Sequence, residues 1–230
     1  MSFSQWLTFN NGFNGYLGQP ALGLTTTYFG LSSALVMSGN QLHGFDLAGI
    51  TASANAVPDT LPHGFLSGKI RTLINPVHSG PANHGLICMQ SASNMQRGLS
   101  SRGYAIMLDS ILFSNKVVLV RMNDGIDASL GGSLGSTYSF LAQSANGLWT
   151  ENNIYAIEIE WHVNTLIPGV HVIGRFGTAS DFSGMTVIGE AFDGTSHSSL
   201  TSVGEGPYAD LSTNELIVAF DNTQLFSMVP

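Results

Sequence analysis

The sequence predicts an all-β fold: a two-sheet antiparallel sandwich of roughly eleven or twelve strands with little helix. Three observations carry that expectation. The apolar runs are short and bounded by Gly, Asn, Pro and Ser, which is how strands and their turns read. Several of these runs alternate apolar and polar residues with a period of two, the signature of a strand with one wet face. No segment keeps an amphipathic helical period long enough to hold a helix.

Residues 1–30 read as an irregular N-terminal arm, packed on or beyond the sandwich. Trp6, Phe9, Phe13, Tyr16, Tyr28 and Phe29 are scattered among Asn-Gly steps, a spacing that suits short strands lying along the sandwich or against a partner. Residues 31–230 read as one sandwich domain. Residues 33–38, the turn Gly39-Asn40 and residues 41–45 form a hairpin signal. Residues 46–62 are small and turn-rich. From Phe65 to Ile74 the chain alternates, with Leu66, Gly68, Ile70, Thr72 and Ile74 on one face. Ser67, Lys69, Arg71 and Leu73 share the other. Pro76 ends the run, because proline cannot donate to a ladder.

Residues 84–90 and 102–109 are uniformly apolar and read as paired strands buried on both sides. The polar loop 91–101, with Arg97 and then Arg102 at its end, is what they present to a partner. His84 is placed at a strand entrance and Cys88 in the core. Residues 116–121 make another buried strand. A turn at 123–125, a glycine-rich loop at 130–135 and a short strand at 138–141 follow. The clearest alternation runs from Ile154 to Val163. Tyr155, Ile157, Ile159, Trp161 and Val163 share one face, and Glu158, Glu160 and His162 the other. Residues 170–176 alternate likewise. If the loop 164–169 closes a regular hairpin, Val163 faces Val170. Register then sets His162 opposite His171 and Glu158 opposite Arg175 on the outward face. A strand within 181–191, a Ser-rich loop reaching Pro207 and a closing strand at 214–222 complete the chain.

Composition narrows the function. Only 10% of the 230 residues are charged, against about 25% in typical soluble domains. A surface built from Ser, Thr, Asn, Gln and Gly is easy to desolvate and suits burial in an assembly. The net charge of −8 and the absence of any basic run argue against nucleic acid as a partner. A lone cysteine excludes an intrachain disulfide. The N-terminus lacks a basic n-region and an apolar h-region, so no signal peptide is expected. No run is long enough for insertion into a membrane as a helix.

The order of several pieces is similar to a known family. Phe9-Asn10-Asn11 opens the chain, and Val36-Met-Ser-Gly-Asn-Gln-Leu42 follows. Then come His84-Gly-Leu-Ile-Cys-Met89 with Gly103-Tyr-Ala-Ile-Met-Leu108, and Asn153-Ile-Tyr-Ala-Ile-Glu-Ile-Glu160. Phe220-Asp221-Asn222 closes it. From Phe9 to Phe226 the chain resembles the concanavalin A-like lectin/glucanase superfamily, in the jelly-roll form of laminin-G-like modules and phage virion structural proteins. The resemblance implies a fold more than a function.

Glycosidases of that superfamily carry Glu-x-Asp-x-Glu on one strand. Here Ala156-Ile157-Glu158-Ile159-Glu160 lacks the first acid and has Glu in the middle. A solvated strand face with Arg175 opposite is the preferred reading of Glu158 and Glu160, and no catalytic residue is assigned. His162 and His171 with Glu160 make an incomplete zinc set. Calcium is common in the superfamily, but Asn10, Asn11 and Asp221 offer few carboxylates for it. No metal and no cofactor is expected. Gly131-Gly132-Ser133-Leu134-Gly135 matches the nucleophile-elbow pattern without the flanking strand and helix it requires. Trp6, Tyr104, Tyr138, Trp149 and Tyr208 are candidate plates for a sugar ring, while Trp161 points inward.

The first expectation is therefore a non-enzymatic virion structural protein of a phage or virus. It would be a capsid decoration (cement) protein or another surface or tail component, assembled in the host cytoplasm. Its partners would be other virion proteins and copies of itself, as in a trimer, with residues 1–30 at the contact. The alternative is a carbohydrate-binding, lectin-like receptor-binding module with a glycan partner. A glycoside hydrolase is the third.

Overall fold

A computed structural model describes residues 2–8, 24–29, 35–38, 41–45, 52–58, 67–77, 82–90, 103–110, 115–122, 138–164, 166–194, 202–209 and 216–229. They form fifteen strands. These are β1 (Ser2–Thr8), β2 (Leu24–Phe29), β3 (Leu35–Ser38), β4 (Gln41–Phe45) and β5 (Ala52–Pro58). Next are β6 (Gly68–Pro76), β7 (Ala82–Gln90), β8 (Gly103–Asp109), β9 (Lys116–Met122) and β10 (Tyr138–Gln143). The last five are β11 (Tyr155–Asn164), β12 (Gly169–Gly177), β13 (Thr186–Asp193), β14 (Ser202–Ala209) and β15 (Leu216–Val229).

The strands make two antiparallel sheets, as the all-β sandwich reading expects. An eight-stranded sheet runs β13-β12-β11-β6-β15-β4-β3, with β1 also paired to β15. A seven-stranded sheet runs β10-β9-β8-β7-β14-β5-β2. Within residues 1–30, β1 thus joins the first sheet and β2 forms an edge of the second. β3 and β4 pair in the register Ser38↔Gln41, as the hairpin signal expects; residues 39 and 40 lie outside the described residues. The β7–β8 pair forms in the register Gly85↔Met107 and Cys88↔Tyr104. Among the described residues no helix is long and apolar enough to cross a membrane.

Two segments differ from the sequence reading. Residues 46–62 contain β5, and the Ser-rich stretch before Pro207 runs into β14, an interior strand of the second sheet. Both are rich in Ala, Ser and Gly, which carry little β propensity, so only their sheet neighbours identify them. Pro207 is tolerated because β14 pairs with β5 at Glu205, Tyr208 and Ala209 and skips the proline. Its partner His84 lies on the other side, on β7. His84 is accordingly inside β7 and fully buried, not at the strand entrance.

The core lies between the sheets. Ile70 and Ile74 from β6, the face Tyr155, Ile157, Ile159 and Trp161 of β11, and Val170, Val172 and Phe176 of β12 line one side. Leu86 and Cys88 of β7, Tyr104, Ile106 and Leu108 of β8, and Val117 and Leu119 of β9 line the other. Cys88 is wholly buried, and that burial pushes its thiol well above its ordinary pKa, which keeps it a core hydrophobe. One edge of the sandwich is closed by a polar clasp. The Tyr104 hydroxyl donates to Asp193 Oδ2 at 2.9 Å, and Arg121 Nη1 donates to Asp193 Oδ1 at 3.0 Å. Burial, then the bond to Asp193, raises the Tyr104 pKa, so the phenol stays protonated and keeps donating.

Phe220-Asp221-Asn222 is a bulge. The register of β15 against β6 shifts between Asp221 and Gln224. Asn222 takes φ 53°, the left-handed region that asparagine tolerates. Its N–H donates to Asp221 Oδ1 at 2.7 Å. Beyond the bulge Thr223 turns inward to share a 2.7 Å hydroxyl bond with Thr72. Before it β15 pairs with β4, and after it with β1. The bulge also sets Gln224 and Phe226 in register with Arg71 and Lys69.

The two sheets differ in their outer faces. β8 is buried along its whole length, and on β9 the outward Val118, Val120 and Met122 are buried too. The middle of the second sheet is therefore apolar on both faces, as read from the uniform runs 84–90 and 102–109. The first sheet alternates strictly on β6 and over residues 170–176 of β12. Its outer face carries the polar and charged side chains.

Candidate functional site

Three cross-strand rows on that outer face form the site. In the first, His162 of β11 pairs with His171 of β12, which pairs with Phe192 of β13. In the second, Phe226 of β15, Lys69 of β6, Glu160 of β11, Ile173 of β12 and Glu190 of β13 lie side by side. In the third, Gln224, Arg71, Glu158 and Arg175 do so. The hairpin register read from the sequence is thus the one that forms. Val163 faces Val170, His162 faces His171, and Glu158 faces Arg175.

The carboxylates are not solvated, contrary to the sequence reading. Glu158 is 2% exposed and Glu160 7%. Each is locked into an ion network instead. Arg175 Nη1 donates to Glu158 Oε1 at 2.6 Å and to Glu160 Oε2 at 2.5 Å. Lys69 Nζ lies 3.3 Å from Glu158 Oε2. His162 Nε2 donates to Glu160 Oε1 at 2.5 Å. At the edge, His171 Nε2 bonds Glu190 Oε1 at 2.7 Å. The sheet is wide enough that neighbouring strands shield the central acids from water.

Burial opposes ionisation of Glu160, but the bonds from His162 and Arg175 and the charge of Arg175 outweigh it. The carboxyl is held at about 2. A group held so low does not act as a general acid near neutral pH, which weighs against the glycosidase pair. Because the folded pKa lies below the unfolded value, Glu160 contributes stability that is complete above roughly pH 4.5 and is lost as pH falls toward 2. Glu160→Gln is expected to flatten the fall in stability across that window by about 2–3 kcal/mol. Urea midpoints at pH 5 and pH 2.5 measure it, and an unchanged difference between those midpoints refutes the role.

Arg71 is held differently. Its Nε and Nη2 donate to the neutral Gln224 Oε1 at 2.8 and 2.6 Å. Its guanidinium carbon lies 4.3 Å from the centre of the Phe182 ring and 5.0 Å from that of Phe226. Phe182 comes from the connection between β12 and β13. Lys69 Nζ lies 5.0 Å from the Phe226 ring as well. Burial lowers the Arg71 pKa, while the charge of Glu158 acts against that fall.

The other sequence candidates are distributed as follows. The His162 and His171 rings are 6.0 Å apart and each engages a different carboxylate. Among the described residues no group of three His, Cys, Asp or Glu is arranged to hold a metal. Trp149 and Tyr104 are buried and cannot stack on a sugar, and Trp161 faces inward as expected. Trp149 instead donates from Nε1 to Lys116 O at 2.9 Å, holding the connection after β10. Asn10, Asn11, Arg97, Arg102 and the loops 91–101 and 130–135 lie outside the described residues, as do the side chains of Trp6, Tyr138 and Tyr208. Among the described residues, Phe182, Phe192 and Phe226 are the phenyl rings on the open face, and the sequence singled out none of them. Only the pairing of distant strands brings Phe226 beside Lys69.

The architecture defines the class of fold: the chain has the concanavalin A-like jelly-roll sandwich of lectin-type domains. Particular likenesses cover nearly the whole chain. The metal-free carbohydrate recognition domain of Emp46p matches with a TM-score of 0.64 at 10% identity, over 100% of both chains. The alginate lyase vAL-1 from Chlorella virus matches with a TM-score of 0.61 at 12% identity, over 98% of this chain and 100% of that one. The CBM2 module of the evolved Dit of Lactobacillus casei BL23 phage J-1 matches with a TM-score of 0.53 at 9% identity, over 98% and 96%. No protein-family model and no curated protein matches the sequence.

Proposed function

We propose that the chain is a carbohydrate-binding, lectin-like module that uses the outer face of its eight-stranded sheet. The observation that carries this reading is the face itself. It presents planar hydrogen-bonding groups held at fixed positions by ion pairs, beside the phenyl rings of Phe182, Phe192 and Phe226. Sugars are bound by that combination. Fixed guanidinium and amide groups meet the hydroxyls, and an aromatic plate meets the C–H face. The full-length fold likeness to the Emp46p carbohydrate recognition domain supports it. The groups of the network are held by their own ion pairs, so little ordering entropy opposes binding. Binding, not turnover, is the activity this arrangement favours, since the buried acids are committed to Arg175, Lys69 and His162.

A second reading keeps this chemistry and adds a setting. The likeness to a carbohydrate-binding module of a phage Dit supports a receptor-binding component on a virion surface. The low charge of the chain suits assembly with other virion proteins or with copies of itself. A glycan array probed with the full chain, with and without calcium, tests the first reading. Binding to a defined set of glycans, weakened by Phe192→Ala on the exposed row, is the expected result. An array without binders in both conditions overturns it.

A further inference from the structure

We propose that Arg71 is the anchor for the carboxylate of an acidic sugar, so that the glycan recognised on this face is a uronate-containing one. The inference rests on the carbohydrate-binding reading and names its substrate class.

The three central strands of the site, β6, β11 and β12, carry Lys69, Arg71 and Arg175 against Glu158 and Glu160 on their outer faces. Arg175 and Lys69 meet those two acids directly. One positive charge is left over, and it is Arg71. That excess stands out in a chain whose net charge is −8 and which has only seven Lys and Arg in all. At the edge, Glu190 is engaged by His171. On β15, Asp221 Oδ1 accepts the Asn222 N–H. Asp181, beside Phe182, accepts the Ser183 N–H. None of these acids forms an ion pair with Arg71, although Glu158 attracts it through space.

The guanidinium is also oriented. Gln224 takes the Nε and Nη2 donors on one edge, and Phe182 and Phe226 lie within cation–π distance. Among the described residues no acceptor other than Gln224 meets Arg71. Among those residues, both Nη1 hydrogens and one Nη2 hydrogen of this partly exposed group meet no acceptor. A guanidinium with a fixed plane and open donors matches a planar carboxylate through paired hydrogen bonds. A pyranose bearing that carboxylate would lie near the two rings. The occupant of Gln224's position matters too. A glutamate there would complete a salt bridge, and the chain places a neutral amide instead, leaving the charge for a ligand. The overall negative charge disfavours long polyanions, so recognition of a short uronate segment is expected.

The test is calorimetric titration of the full chain with oligogalacturonate and oligomannuronate trimers, and with the same trimers after reduction of their carboxyls to alcohols. The wild type is expected to bind a uronate trimer at least 10-fold more tightly than its reduced form. Arg71→Met and Gln224→Glu are each expected to weaken uronate binding at least 10-fold. Gln224→Glu is the decisive variant, because it supplies Arg71 with a carboxylate and should do so with an undiminished melting temperature. Equal binding of reduced and native trimers, or uronate binding unchanged in Gln224→Glu, overturns the proposal. Binding of neutral glycans without binding of either uronate trimer overturns it and leaves the lectin reading standing. No binder among these trimers or on the glycan array overturns both.

Discussion

Replacing Arg175 by methionine is expected to cost about 3–5 kcal/mol of stability at neutral pH. Arg175 Nη1 is the donor shared by Glu158 and Glu160, whose side chains are only 3% and 9% exposed. Without it two carboxylates of one strand face are left close together in a site from which water is largely excluded. Lys69 at 3.3 Å and His162 each serve one of them, but neither joins the two. The loss is therefore dominated by stranded charge, not by the missing attraction. Two further outcomes follow from the same physics. The deficit should shrink as pH falls below 5, because one acid of a like-charged pair takes up a proton early. Adding Glu158→Gln to Arg175→Met should restore part of the loss at pH 7. Urea unfolding of the three proteins at pH 7 and pH 4.5 measures both. A cost under about 1 kcal/mol, as for an exposed cross-strand pair, would mean that water reaches the network after all.

That prediction could not have been made from the sequence, and the reason is specific. Alternation put Glu158, Glu160, His162, His171 and Arg175 on one face, and the loop 164–169 fixed their register. Those are local inferences along one hairpin. The second wall of the site is β6, whose Lys69 and Arg71 sat legibly on a wet face. Nothing in the pattern of residues 65–74 says that this strand lies against β11. The pairing Glu160↔Lys69 is a long-range choice made by the packing of the sandwich. Being flanked on both sides is what turns exposed glutamates into buried ones. Phe182 was less legible still, because it belongs to a connection and reaches Arg71 across two intervening strands.

The fold was more legible than the site because it rests on patterns repeated many times. Burial along β6 and β12 follows the alternation residue by residue. The uniform runs became β7 and β8, and every described residue of β8 is buried. The strands that escaped, β5 and β14, are those whose small side chains carry no periodic signal. They are recruited by hydrogen bonding to β2 and β7, not by a hydrophobic face of their own.

Gly85→Ala is expected to cost at least about 3 kcal/mol and to abolish cooperative folding if the protein is marginally stable. A Cβ at position 85 would lie 1.9 Å from the Ile106 carbonyl oxygen and 2.9 Å from Met107 Cα. Both are backbone atoms of β8, which is paired to β9 on its far side. β8 cannot retreat without breaking that ladder, and β7 cannot retreat without leaving β14, where Gly85 is paired with Gly206. The clash therefore has no flexible partner to absorb it. Gly174→Ala is the matched comparison. Its added methyl would meet only side-chain atoms, Ile106 Cδ1 at 3.3 Å and Ile188 Cγ1 and Leu119 Cδ1 at 3.5 Å. Those groups can shift by a few tenths of an ångström, and a cost of about 1 kcal/mol or less is expected. Near-UV circular dichroism and urea midpoints of the two variants separate the cases. If Gly85→Ala unfolds within about 1 kcal/mol of Gly174→Ala, the two central strands are not packed backbone to backbone at this point. The apolar pair around which the second sheet is built would then have room that its glycine says it lacks.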